Sequence, residues 1–111
     1  GTNWVAQTKN PDARTFTVSK TGTGQYQVIF SAPLPDNNYT AVGTADYWNT
    51  TVNCNITNGK TTSSIILNTQ SIYGNVGALV DVPFSFMVVR GSNVVCSGVI
   101  LANGTFKDSG F

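Results

Sequence analysis

Apolar residues recur at every second position along most of the chain, the signature of strands that turn one face to a core. Within Arg14–Lys20, Phe16 and Val18 oppose Thr15, Thr17 and Ser19; within Gln25–Phe30, Tyr26, Val28 and Phe30 oppose Gln25, Gln27 and Ile29. The intervening Thr21-Gly22-Thr23-Gly24 reads as a hairpin connection. Ser31 to Asn38 holds Pro33 and Pro35, which cannot donate to a ladder, so a turn-rich crossover is predicted there. Tyr39–Asp46 resumes the alternation, with Tyr39, Ala41 and Gly43 against Thr40, Val42 and Thr44. It ends in a polar-aromatic loop, Tyr47-Trp48-Asn49-Thr50.

Thr51–Thr57 follows with Val52, Cys54 and Ile56 inward. Asn58-Gly59 then offers two residues tolerant of positive φ, which predicts a type I′ hairpin and a partner strand over about Thr61–Asn68. Thr69–Leu79, with Tyr73, Gly74 and Gly77, reads as a loop. Val80–Arg90 is the most apolar strand, with Phe84, Phe86 and Val88 on one face, Met87 and Val89 on the other, and Pro83 confined to its start or an edge. Val94–Leu101 is apolar on both faces and should be central or covered on both sides. Asn103-Gly104 turns the chain toward Thr105–Phe111. No segment shows helical apolar spacing over three turns. The predicted fold is therefore all-β: an antiparallel sandwich of seven to eight short strands, one domain over residues 1–111.

Composition sharpens this picture. Charged residues are only 10% of the chain, every acid is Asp, and there is no His. Solvation must come from Thr, Asn, Ser and Gln, a composition suited to extracellular or virion β-proteins and unsuited to surface helices. The six cations are scattered, whereas a nucleic-acid binder needs a basic stripe to displace counterions. No apolar run approaches the ~20 residues of a helical membrane span. The opening Gly1-Thr2-Asn3-Trp4 has neither the basic nor the apolar region of a secretion signal, and the chain reads as a piece of a longer protein. Cys54 and Cys96, if bridged, would close a loop worth roughly 4 kcal/mol; unbridged, they are small apolar core residues. An immunoglobulin domain would place a Trp after the first Cys and a Tyr two residues before the second. Here Trp48 precedes Cys54 and Val94 stands before Cys96, so that reading fails.

Catalytic chemistry finds little support. Without His, Ser–His–Asp and Cys–His arrangements are impossible and most zinc sites are excluded. Glycoside hydrolysis needs paired carboxylates, but Asp36, Asp46, Asp81 and Asp108 all fall in or beside turns, where Asp serves local hydrogen bonds. Neither phosphate-loop nor calcium-loop patterns occur, and no cofactor is expected. Four Asn-x-Thr triplets, at Asn38, Asn49, Asn55 and Asn103, follow from the abundance of both residues. The sharpest feature is Tyr47-Trp48-Asn49, since rings stack on sugar C–H faces while an amide bonds hydroxyls. Trp48 has a second reading, packing onto the core rim or a neighbouring subunit, and Tyr73 has the same two readings.

The run from Phe16 to Phe30, with its Thr21-Gly22-Thr23-Gly24-Gln25-Tyr26 turn, leads into Pro33-Leu34-Pro35-Asp36-Asn37-Asn38-Tyr39-Thr40-Ala41-Val42-Gly43. It resembles a repeated β-module of tail fibres and related virion proteins of tailed bacteriophages, notably marine and cyanobacterial ones. Pro83-Phe84-Ser85-Phe86-Met87-Val88-Val89 is similar to that module's closing strand, and residues 97–111 resemble the start of a following repeat. The resemblance covers most of the chain except Thr44–Asp81, which matches only by strand pattern. It implies a homotrimeric virion fibre domain, acting extracellularly, that adheres to a host-surface glycan or protein receptor without breaking it. Tyr47, Trp48, Asn49 and Tyr73 are the candidate receptor contacts, read from the loops themselves. A spacer or trimerisation module without a ligand, and a monomeric secreted carbohydrate-binding or adhesin module, are the alternatives. A polysaccharide depolymerase is disfavoured by the missing acid–base pair.

Overall fold

The computed structural model describes residues 10–55, 59–72, 74 and 77–108, the side chains of Cys54, Asn55, Lys107 and Asp108 excepted. Eight strands appear in chain order: β1 Phe16–Gly22, β2 Gln25–Phe30, β3 Thr40–Ala45, β4 Thr50–Asn55, β5 Ser64–Ser71, β6 Phe84–Arg90, β7 Asn93–Ile100 and β8 Phe106–Asp108. They form two antiparallel sheets, ordered β1-β2-β5-β4 and β3-β6-β7-β8. The predicted β-sandwich is what the chain adopts.

The core follows from the alternation. Tyr26, Val28 and Phe30 of β2, Ile65 and Leu67 of β5, and Phe84, Phe86 and Val88 of β6 are buried between the sheets. Each such side chain contributes about 1.5–3 kcal/mol by leaving water. The rings interlock edge to face, Phe16 on Phe86 at 5.2 Å and Phe30 on Tyr39 at 5.5 Å. Both lateral margins are closed. Phe106 of β8 lies 4.7 Å from Phe16 of β1. At the other margin Val52 of β4 packs over Gly43 of β3, where a Cβ would sit 3.0 Å from Val52 Cγ1 and 2.8 Å from the Ser85 carbonyl.

Three predicted boundaries move, each for a physical reason. The reversal between β4 and β5 is made by Thr61–Ser64: the Thr61 N–H donates to Ser64 O at 2.8 Å, and Thr61 Oγ1 accepts from the N–H groups of Ser63 and Ser64. Tyr39 fixes that turn, its single hydroxyl proton shared between the Thr61 and Ser64 carbonyls, while Lys60 sits 4.8 Å over its ring. With Asn55 opposite Ile66 and Lys60 opposite Ile65, the register differs from that of a two-residue Asn58-Gly59 hairpin. Asn58 itself lies outside the described residues. β5 runs on to Ser71, because Thr69, Gln70 and Ser71 pair with Val52, Thr51 and Thr50 of β4. β6 begins only at Phe84, and Val80 to Pro83 instead crosses between the sheets. Finally, β7 is central but single-sided: its inner face is buried, while Val99 is left exposed on the outside. Val95 is the extra residue of a bulge against β6, and its carbonyl accepts from the Arg14 N–H at 2.7 Å. Cys96 is buried in the core from β7; the side chain of Cys54 is outside the described residues, and the thiol pairing with it.

The β1–β2 hairpin depends on Gly24. Its φ is 64°, and a Cβ there would lie 2.7 Å from Thr69 O and 2.8 Å from Val80 N. Gly24→Ala is expected to lower stability by about 1–3 kcal/mol, the cost of strained backbone plus displaced neighbours. Chemical denaturation checks this; a wild-type midpoint would show that the crossover gives way freely.

Candidate functional site

Strands β3 and β4 lie in different sheets, so the loop between them must cross one end of the sandwich. That loop carries Tyr47, Trp48 and Asn49. The Asp46 N–H donates to Pro83 O at 2.8 Å where the loop leaves β3. Asn49 takes a left-handed φ of 54°, one that Asn tolerates better than other side-chain-bearing residues. Its carbonyl accepts from the Ile72 N–H at 2.8 Å, tying the loop to the end of β5. Thr50 Oγ1 donates back to Trp48 O at 3.2 Å. The aromatic pair thus stands on a braced loop.

Both rings face solvent. Tyr47 is 60% exposed and Trp48 67%, with centroids 6.5 Å apart and planes inclined by 46°. Behind them is a hollow of about 130 Å³, walled by Thr50, Ser71, Val80 and Val82 in addition to the three loop residues. Tyr47, Trp48 and Asn49 are therefore brought together as one rim, and Tyr73 lies outside the described residues. Val80 and Val82 are the part that sequence reading missed. They were assigned to a strand by apolarity alone, whereas Pro83 and the Val80–Thr69 contacts divert them to the hollow. Val80 N–H donates to Thr69 O at 3.0 Å, and Thr69 Oγ1 donates to Val80 O.

Charged side chains gather elsewhere. Arg90, at the end of β6, binds Asp36 at 2.7 Å and Asp12 at 3.3 Å, and Asn93 Nδ2 donates to Asp12 at 2.8 Å. The Asn93 hydrogen bond and the Arg90 guanidinium outweigh burial and hold the Asp12 carboxyl below the usual range. Arg90, with help from the Asn38 N–H, does the same for Asp36. On the opposite side, Asp81 accepts from Gly24 N–H at 2.7 Å and pairs with Lys20 at 3.1 Å, and these contacts lower its pKa too. Burial, reinforced by the Asp81 charge, pushes the Tyr26 hydroxyl up to about 12. The turn placement foretold local bonding for Asp36, and Asn38 N–H does donate to it at 2.9 Å. Its distant partner Arg90 left no spacing signal.

No protein-family model, curated protein or solved structure matches the chain.

Folding favours the ionised forms of Asp12, Asp36 and Asp81. The stability they contribute is therefore complete above the ordinary carboxylate pKa of 3.8 and is lost as pH falls below it. The urea midpoint should be flat from about pH 5 to 8 and drop below about pH 4, less steeply in Asp81→Asn. A midpoint already falling at about pH 6 would contradict this assignment.

Proposed function

We propose that this chain is a non-catalytic binding domain of a bacteriophage tail fibre or related virion fibre, which adheres to a host-surface glycan. The observation that carries the binding reading is the Tyr47–Trp48 pair, held out at the end of the sandwich beside a hollow without charged walls. Exposing two large rings costs a soluble domain stability, and paired exposed aromatics beside amides suit the C–H faces and hydroxyls of sugars. The fibre setting rests on the likeness of Phe16–Gly43 and Pro83–Val89 to the phage module.

The charged groups support a role without bond breaking. Asp12 and Asp36 converge, but on one guanidinium that lowers both pKa values, whereas a glycosidase's proton donor has its pKa raised.

A second reading, trimerisation without a ligand, draws on the outer face of the β3-β6-β7-β8 sheet. Val42, 56% exposed, stands opposite Met87, and Val99 opposite Ser85, with Lys107 beyond Val99 on the edge strand β8. The two functions are compatible, since the rim and this face are different surfaces.

Tyr47→Ala combined with Trp48→Ala should abolish adsorption to host cells or immobilised host glycan and leave the unfolding midpoint within about 0.5 kcal/mol of wild type. Unchanged adsorption would leave only the spacer role. Light scattering should give a mass near three times 11.8 kDa, and Val42→Lys with Met87→Lys should reduce it to one chain. A wild-type monomer would remove the trimer from the proposal.

A further inference from the structure

The hollow behind the rings narrows the class of glycan. At about 130 Å³ it is below the ~300 Å³ at which pockets engulf a small-molecule ligand, and holds on the order of four waters. It therefore takes a substituent rather than a whole oligosaccharide. Val80, Val82 and the aromatic pair line it together with Asn49, Thr50 and Ser71, and Thr50 spends its hydroxyl on the Trp48 carbonyl. Water in such a space is poorly bonded, and an apolar group displaces it favourably. No Lys or Arg lines the hollow. An anionic sugar would therefore meet no counter-charge among the described lining residues.

We infer that the hollow selects a neutral sugar bearing a methyl group, an acetamido or a 6-deoxy sugar, with the methyl against Val80 and Val82 and the pyranose face on Trp48. This rests on the glycan-binding reading above and adds the identity of the group recognised. Asn49 also lines the hollow and brings an amide that can hydrogen-bond the ring hydroxyls or the acetamido group.

Ligand-observed NMR titration of the whole chain with matched monosaccharides tests it: N-acetylglucosamine against glucose, N-acetylgalactosamine against galactose, and L-fucose against L-galactose. At least one methyl-bearing member should bind about tenfold or more tightly than its parent, the discrimination one methyl commands in an apolar pocket. The pairs that show the preference tell the acetamido source from the 6-deoxy one. Val80→Thr, which puts a hydroxyl in the hollow without changing its size, should lower the ratio of methyl-bearing to parent affinity toward one. Trp48→Ala should remove binding of both. Equal affinity within every pair, or tighter binding of glucuronic or galacturonic acid, overturns the methyl inference and leaves glycan binding standing. Absence of binding to every sugar overturns both.

Discussion

Gly24 carries no side chain because there is no room for one. Thr69 and Val80 approach its Cα from the neighbouring strand and the β5–β6 crossover, and Asp81 accepts its N–H. That close approach lets one hairpin grip the segment that changes sheets. From it follow the Lys20–Asp81 pair, the position of the Tyr26 hydroxyl on Ala102 O at 2.9 Å, and the path of Val80 and Val82 behind the aromatic loop. A steric allowance at one turn thus reaches the rim at the end of the sandwich through main-chain bonds. The β2–β5 register brings residue 24 to residue 69, and the Gln70–Leu79 bridge with the Val80 N–H bond to Thr69 O brings residue 80 to both.

The sheets solve the problem of a charge-poor surface differently. On the β1-β2-β5-β4 sheet, Gln25, Asn68 and Asn53 stand opposite one another across three strands, and the Asn53 amide donates to Gln70 Oε1. Amides both give and accept, so that face is polar without ions, although Asn68 Oδ1 in the middle strand is buried without a hydrogen-bond partner. The other sheet alternates valine and methionine with serine and threonine and has no such row. Its outer face is the more costly to leave in water.

The strands were legible because burial on one face imposes period two, which is why Tyr26, Val28 and Phe30 or Phe84, Phe86 and Val88 could be assigned directly. The connections were less so. Asn58-Gly59 has strong local turn chemistry, yet the register is set by Tyr39 and Thr61 through contacts that no local pattern encodes. Thr69 to Ser71 looked like loop because polar residues dilute the alternation, but pairing with β4 carries them into the sheet. At the candidate site, the loop Tyr47-Trp48-Asn49 stood out from its composition. Its apolar backing came from Val80 and Val82, whose apolarity was visible and whose destination was not.

The segment before β1 is stitched to the far sheet. Asn10 Nδ2 donates to Val94 O, Arg14 N–H to Val95 O, and Asp12 is held by Arg90 and Asn93. Arg14 also bonds the carbonyls of Ala32 and Pro33, at the start of the crossover into β3. Tension applied along the chain from that side would meet these bonds before it reached the β1–β2 ladder, and would be divided between both sheets. The pull would arrive as shear on a cross-sheet staple instead of peeling one edge strand from its neighbour, which is what the adhesive role proposed above would require.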